Sequence, residues 1–540
     1  MISLKKIPQV SSLTPIEQLL SLKLIAPKVD IKKVDISEYP DIGFLTQEQK
    51  IALDNLRRFF KGTEGKAHLL LGHAGTGKTT LITTLVHLML HKTNMNVAII
   101  CPTHKAVKIT RKLSPFTNAF REFSNDRAKV NMASHSRVHY ATVHSLLGLK
   151  LSIVDGKEVY APNKYMEGQE PIGGFDVVIV DECSMLGKSG DSKEALSLVD
   201  ELLSWKDDLV LIFVGDSDQI PPVNKKGLIK GISTVFAQSY HEFHDIRVSN
   251  LITVMRQALD NPVLAMATDI RLANYRDRPK KTITSDTGGV YYIDRRDDKL
   301  DELLLKYFGS EHYKKDNDYV KVIAYHNKCV EGWNHRIRKL IYRDQYSEEL
   351  PTLIPGESII TRSPILELDL ETGERVVKHS NFTELKVVDP IEATISFPKA
   401  HIIGRDHTFR YYDTEVEYQC DRTGDILPSS CKILFPSELA EFEAFIEEWR
   451  QKAIKHKFAK EKNEARIAWG QYYDLQKVFA KFTYAHATTS HRSQGSSFDT
   501  VFVIEYDINT LFKSMASADY HRRLLYTSCS RASRNNIMIV

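Results

Sequence analysis

The segment Gly72-His73-Ala74-Gly75-Thr76-Gly77-Lys78-Thr79 follows the apolar run 68–71 and opens helix-like periodicity over 78–91. No other stretch restricts the fold as strongly. Backbone N–H groups can close around phosphate oxygens only where no Cβ intervenes. The spacing G-x-x-x-x-G-K-T therefore asks for a strand, a tight glycine loop and a helix N-terminus, in that order. Further apolar runs lie at 97–101, 177–180, 209–214, 320–324 and 500–504, most followed by helical periodicity, as at 328–342. Buried strands alternating with helices predict an α/β protein whose parallel sheets are covered on both faces.

Length and composition bound the rest. At ~150 residues per domain, 540 residues suggest three or four domains. An apolar share of 42% excludes disorder for most of the length. The net charge of +4 is too dilute to mark a basic protein, so a nucleic acid would need a local basic channel. No apolar run approaches the ~18–20 residues of a membrane span. Residues 1–40 lack the features of a secretory or transit peptide. The six cysteines form no C-x-x-C pair, which fits a reducing cytoplasm. After residue 350 the pattern changes: strand-like segments at 357–361, 374–377, 384–388, 392–397 and 409–418 predict a small antiparallel barrel or sheet inserted into the second α/β unit. Residues 437–480 turn helical and charged, with Ser437 as N-cap, acids early and lysines late.

In the phosphate loop, Gly72, Gly75, Thr76, Gly77, Lys78, Thr79 and Thr80 are the candidate nucleotide contacts. Lys78 reaches the β- and γ-phosphates and Thr79 ligates Mg²⁺. A ligand-free glycine turn would have no use for a lysine at its end. About a hundred residues later an apolar strand ends in Asp181-Glu182. Two acids at a strand end are often only a solvated loop. Paired with the phosphate loop they form a hydrolysis site, Asp181 holding hydrated Mg²⁺ and Glu182 acting on the attacking water. The cofactors expected are ATP and Mg²⁺.

Further motifs narrow the class. Leu45-Thr46-Gln47-Glu48-Gln49, Cys101-Pro102-Thr103-His104-Lys105-Ala106-Val107, Thr142-Val143-His144-Ser145, Gly215-Asp216-Ser217-Asp218-Gln219-Ile220-Pro221-Pro222-Val223, Val254-Met255-Arg256-Gln257, Ser490-His491-Arg492-Ser493-Gln494-Gly495-Ser496 and Tyr526-Thr527-Ser528-Cys529-Ser530-Arg531-Ala532 follow in order. Together they resemble the superfamily 1B DNA helicases of the RecD/Dda type, from about Leu45 to the C-terminus. The resemblance implies that Gln49 reads adenine, that Gln219 senses the γ-phosphate, and that Arg256 and Arg531 contact it from a second domain. It places Gln494 and Gly495 near the nucleotide. It assigns strand contacts to Pro102, Thr103, His104, Lys105, Thr142, His144, Pro221, Pro222, His491 and Arg492. Taken singly, the threonines would be read as helix caps and the arginines as surface residues. Arg492 stands where the family usually has lysine, and His73 where relatives often carry proline.

The implied architecture is two RecA-like domains, an SH3-like inserted barrel and a helical arm. The expected division is an N-terminal extension at 1–40, a first ATPase domain at 41–248, a second at 249–350 plus 481–540, the barrel at 351–436 and the arm at 437–480. Leu151 to Val154, Asp155-Gly156 and Lys157 to Tyr160 read as a β-hairpin with a type I′ turn. It lies where the family carries its strand-separating pin, about 149–164, which makes Tyr160 a candidate for stacking at the fork. The implied function is an ATP-dependent DNA helicase moving 5′→3′ on single-stranded DNA and unwinding forked duplexes. It would act as a monomer in the cytoplasm (a bacterial host's, if phage-encoded), with single-strand-binding or replication and recombination proteins as partners and no membrane. The alternatives are an RNA helicase of the same superfamily, and a nucleic-acid-stimulated ATPase or switch that remodels complexes without processive unwinding. Glu384-Leu385-Lys386 has a nuclease-like E-x-K spacing, but no acid pair precedes it, and a nuclease is rejected.

Overall fold

Each of the six apolar runs is a strand, and all six have a parallel neighbour on both sides within one of two sheets. A computed structural model describes residues 45–60, 67–92, 95–113, 137–154, 157–162, 172–186, 198–207, 209–221, 236, 241–242, 245–254, 260–272, 280–346, 349–368, 375–397, 406–420, 425–513 and 518–540. The expected extension at 1–40 lies outside them. The first sheet runs Arg137–Thr142, Asn96–Cys101, Val177–Val180, Val210–Gly215, Ala67–Gly72, Ile246–Leu251, with every neighbour pair parallel. Leu69, Leu70, Val177, Ile179 and Ile212 are fully buried in it, each such side chain contributing roughly 1.5–3 kcal/mol. The strand Val210–Gly215 stands between the phosphate-loop strand and the strand ending at Asp181. This insertion sets the coupling segment directly between the loop and the two acids.

The second sheet runs Ala487–Thr489, Val320–Ala324, Phe498–Ile504, Ala532–Ile539, Gly288–Ile293, Ile283–Ser285, parallel except for the last pair. Two of its strands escape a hydropathy reading. Ala532–Ile539 begins with polar residues, yet Asn536 is fully buried and its Nδ2 donates to Cys529 O at 2.9 Å. Ala487–Thr489 is only three residues long. Both sheets belong to one compact unit, made of the described parts of Met1–Gly148, Tyr165–Asp344 and His486–Val540.

The second unit comprises Leu149–Lys164 and Gln345–Ala485. Its five-stranded antiparallel sheet runs Ile426–Leu434, His407–Gln419, Glu384–Phe397, Ser358–Thr361, Phe482–Tyr484. The segments 384–388 and 392–397 are one strand. It continues through Pro390, opposite Thr414; past Lys386 the strand has a paired neighbour on one side only, the edge position where a strand tolerates proline. Phe409, Phe442, Phe445 and Trp449 pack the sheet against a helical hairpin, Leu439–Phe458 and Lys462–Leu475. The helix starts behind a 3₁₀ turn, Pro436–Glu438, so Ser437 is not its N-cap; its Oγ accepts from Arg410 instead, at 3.3 Å.

Three expected boundaries shift. The strand Ile246–Leu251 completes the first sheet and crosses the boundary drawn at 248. Phe482–Tyr484 pairs with Ser358–Thr361, so the insertion extends past 480. The hairpin Leu149–Val154/Lys157–Pro162 forms in the expected register, Leu151 opposite Tyr160, but groups with the inserted unit rather than with the first ATPase domain. Its turn, Asp155-Gly156, and the Tyr160 side chain lie outside the described residues. No helix among the described residues is long and apolar enough to cross a membrane.

Candidate active site

The phosphate loop closes on itself. Gly75 and Gly77 both take φ of 80°, a conformation that glycine adopts without a Cβ penalty. Thr76 Oγ1 donates to His73 O at 2.8 Å. Lys78 Nζ folds back onto two loop carbonyls, Gly72 O at 2.5 Å and His73 O at 3.1 Å. The helix Lys78–Lys92 begins here, with Thr79 and Thr80 exposed at its first turn. Gln49 departs from expectation. Thr46 and Gln49 form a reciprocal capping box, Gln49 N to Thr46 Oγ1 at 3.2 Å and Thr46 N to Gln49 Oε1 at 3.0 Å. Gln49 Nε2 donates to Thr76 O at 3.0 Å, and the residue is 1% exposed. In place of an open adenine reader, this amide ties a helix start to the phosphate loop.

Asp181 and Glu182 follow the strand Val177–Val180. Burial and the neighbouring Glu182 charge push the Asp181 carboxyl up to about 6, against the bond from Glu182 N and the Lys78 charge. Glu182 sits at φ 54°, in the left-handed region that a non-glycine side chain enters only when its surroundings hold it there. Gln219 is 5% exposed, and its Oε1 is buried without a hydrogen-bond partner among the described residues. A left-handed glycine loop and two strand-end carboxylates are the groups a Mg²⁺–triphosphate would satisfy, and the orphaned Gln219 Oε1 is an acceptor suited to a water beside it. Thr79 and Asp181 would hold the metal.

The second sheet reaches this site through the helix Ala518–Cys529. Tyr526 OH accepts from Ala74 N in the phosphate loop at 3.0 Å and donates to Asp216 Oδ2 at 2.5 Å. Burial alone would raise the Asp216 carboxyl; bonds from His73 and Tyr526 and the Lys78 charge bring it below its ordinary value. Arg522 pairs with Asp218 at 2.8 Å. Arg523 donates to Gln219 O at 3.1 Å and also to Ser217 O. Arg271 NH1 lies 3.1 Å from His73 Nε2. An arginine can only donate, so that nitrogen accepts and His73 Nδ1–H faces Asp216 and Asp218. Gln494 Nε2 donates to Ile220 O at 2.7 Å, and Thr527 Oγ1 accepts from Ile220 N at 3.2 Å. Gly495, at φ 68°, lets the second sheet's loop meet the helix His104–Leu113: a Cβ there would stand 2.9 Å from Ala106 Cβ.

Sequence reasoning passed over Tyr526, Arg522, Arg523, Arg271 and Asp216. Asp519, Arg522, Arg523 and Tyr526 recur at i, i+3, i+4, i+7, one helix face, and that polar stripe was the available signal. The two expected γ-phosphate arginines fare differently. Arg256 lies outside the described residues. Arg531 is 7% exposed and held by its own sheet's surroundings, Nε to Thr527 O at 3.1 Å, NH1 to Ser496 O at 3.2 Å and NH2 to Ser530 Oγ at 3.1 Å.

Of the expected strand contacts, Pro102 is half-buried, His104 exposed and Pro221 buried, while Pro222 lies outside the described residues. Thr103 Oγ1 and Thr142 Oγ1 cap helices, accepting from Ala106 N and Ser145 N, each at 3.2 Å. Lys105 pairs with Asp318 of the second sheet's flank at 3.1 Å. Burial and the His104 charge push the His144 imidazole down to about 4, and burial with the Arg492 charge does the same to His491, whose Nε2 meets Tyr520 OH at 2.7 Å. Both are neutral at pH 7 and offer hydrogen bonds rather than charge. Arg492 is half-buried beside His491.

Residues 59–225 match a family model described as an AAA domain, and residues 484–539 match the UvrD-like helicase C-terminal domain. The ATP-dependent DNA helicase dda of Enterobacteria phage T4 is 27% identical over 493 residues, 90% of this chain and 97% of that protein. An uncharacterized protein of Acanthamoeba polyphaga mimivirus is 23% identical over 526 residues, 90% of this chain and 98% of its own. The Pif1 helicase from Bacteroides in complex with ADP-AlF3 and ssDNA is 17% identical over 92% of each chain, at a TM-score of 0.41 too loose to add to the strand order. The likeness carried by the ordered motifs thus extends over nine-tenths of the chain, which is similar along that length to a superfamily 1 DNA helicase of the RecD/Dda type.

Proposed function

We propose that the chain is an ATP-hydrolysing DNA helicase that moves 5′→3′ along single-stranded DNA and unwinds the duplex ahead of it. One observation supports this above the others. The coupling segment from Asp216 to Ile220 is bonded on one side into the phosphate loop's neighbourhood and on the other to Gln494, Arg522, Arg523, Tyr526 and Thr527. A plain ATP-binding switch needs no such density of bonds between two sheets at the γ-phosphate end of the site.

In this reading Lys78 leaves its loop carbonyls to neutralise the β- and γ-phosphates, and Glu182 orients and deprotonates the attacking water. Gln219 Oε1 accepts from the attacking water when the nucleotide is seated, and Arg531, with Arg256, turns toward the charge that develops during transfer. Arginines in this role can contribute roughly 10³–10⁵ in rate. Bound Mg²⁺ would supply further charge neutralisation, held by Thr79 and Asp181. Product release loosens the bonds between the sheets, so a strand lying across both is gripped by each in turn. Pro102, His104, Lys105, His144, Pro221, His491 and Arg492 are the proposed contacts to it. The inserted five-stranded sheet is read as an SH3-like barrel, the hairpin as the separating pin, and the active form as a cytoplasmic monomer working with single-strand-binding or replication and recombination proteins. ATPase stimulation by poly-dT and poly-U tests the substrate class: strong stimulation by poly-dT is expected, and stimulation by poly-U alone would assign the motor to RNA.

A further inference from the structure

The helical hairpin of the inserted unit ends in a feature that its own stability does not explain. Phe458 closes the first helix at 84% exposure, the most exposed of the large apolar side chains among the described residues. Around it Lys455, Lys457, Lys460 and Lys462 are all exposed. The turn is a full Schellman closure, Glu461 N to His456 O at 3.0 Å and Lys460 N to Lys457 O at 3.2 Å. The left-handed position of that closure favours glycine, yet Lys460 occupies it at φ 60°. The apolar contact that usually seals such a turn is replaced by His456 Nδ1 on Glu461 Oε2 at 2.5 Å. Lysines at the end of Leu439–Phe458 suit that helix's dipole, but Lys460 and Lys462 sit at the start of Lys462–Leu475, where the dipole disfavours cations. Nearer the sheet the charges are otherwise disposed: Arg450 pairs with Glu447 at 2.7 Å, and Lys452 lies 4.8 Å over the Trp449 ring. Four lysines and a bare aromatic ring are thus gathered at the tip, two of the lysines, Lys460 and Lys462, against local helix preferences, the kind of local conflict that marks a functional site.

We infer that this tip binds the phosphate backbone of nucleic acid, with the lysines on phosphates and Phe458 against a base. The inference rests on the DNA reading above. A ring with no aromatic or cationic partner among the described residues, and four exposed lysines that outnumber the tip's Glu461 and Glu464, match the paired requirements of a polyanion that carries flat apolar faces.

The test compares the full chain with Lys455→Glu/Lys457→Glu/Lys460→Glu and with Phe458→Ala, measuring anisotropy of labelled oligo-dT, blunt duplex and a 5′-tailed fork over a salt series. ATPase stimulation by oligo-dT serves as the control for the motor. The triple variant should bind at least one of the three DNAs about tenfold or more weakly, with a salt slope shallower by about 0.9 per lost duplex contact or about 0.7 per single-strand contact. Phe458→Ala should weaken the same DNA about fivefold with the slope unchanged. Loss on duplex and fork alone assigns the tip to the double strand; loss on oligo-dT assigns it to the single strand. Wild-type affinity of both variants for all three DNAs overturns the inference, as does loss confined to binding of poly-glutamate, which would make the tip a protein-docking site. A full-length chain that binds none of these DNAs refutes the DNA reading itself, a separate outcome.

Discussion

Replacing Tyr526 with phenylalanine keeps the buried ring and deletes one hydroxyl. That hydroxyl accepts from Ala74 N at 3.0 Å and donates to the Asp216 carboxylate at 2.5 Å, in a side chain 1% exposed. A hydrogen bond to a charged group contributes about 1.5–3 kcal/mol net. Asp216 keeps Asp218 N at 3.0 Å and His73 at 3.4 Å, so its carboxylate is not stranded. Ala74 N loses its acceptor in a partly open loop that water can enter. The expected cost is therefore near the lower end, about 2 kcal/mol. In a unit of this size, at about 2.1 cal/mol/K of unfolding entropy per residue, that corresponds to roughly 2–3 °C in melting temperature. The assay is a double-mutant cycle of Tyr526→Phe and Asp216→Asn by urea unfolding without nucleotide. A coupling energy of about 1.5 kcal/mol or more is expected. Effects additive within about 0.5 kcal/mol would mean that the two side chains do not bond in solution, and the link between second sheet and phosphate loop would fall with them.

Lys78→Ala and Glu182→Gln should each abolish steady-state phosphate release, while Glu182→Gln still binds ATP and DNA; near-normal turnover of that variant would remove Glu182 from its role on water. Burial raises the Asp318 carboxyl, but the Lys105, Lys321 and Lys108 charges outweigh it and hold it at about 2, below its unfolded value of about 3.9. The stability this group contributes is fully present above the unfolded value and is lost as pH falls toward the folded one. The melting-temperature gap between wild type and Asp318→Asn should accordingly narrow between pH 5 and pH 3, and a constant gap would show that the pair with Lys105 is not formed. Tyr160→Ala should slow duplex unwinding and leave ATPase stimulation by single strands nearly intact. Equal loss of both would place Tyr160 in the fold or the translocation track.

The parallel strands, the phosphate loop and the two acids were legible in the sequence because each has a local signature: continuous apolar runs, glycines at fixed spacing, carboxylates at a strand end. What was not legible depends on tertiary partners. Thr103 and Thr142 read as strand contacts by motif, yet their oxygens cap helices, a role that local sequence equally allows. Gln49 carries the amide suited to adenine, and only the fold shows that amide bonded to Thr46 and Thr76. Arg531 is a long side chain whose direction its sequence position does not determine. Tyr526 looks like a core aromatic until the second sheet brings its hydroxyl to Asp216, 310 residues away. The segments 384–388 and 392–397 read as two strands, whereas pairing with His407–Gln419 carries one strand through Pro390, a property of the partner and not of the residues between them.

Unwinding of duplexes carrying a 5′ tail, a 3′ tail or no tail, with ATP and Mg²⁺, tests the central claim most directly. The account predicts strand separation only from the 5′-tailed substrate, abolished by Lys78→Ala. Separation from the 3′-tailed substrate instead would contradict the assigned direction, and DNA-stimulated ATP hydrolysis without separation of any of the three would contradict the helicase.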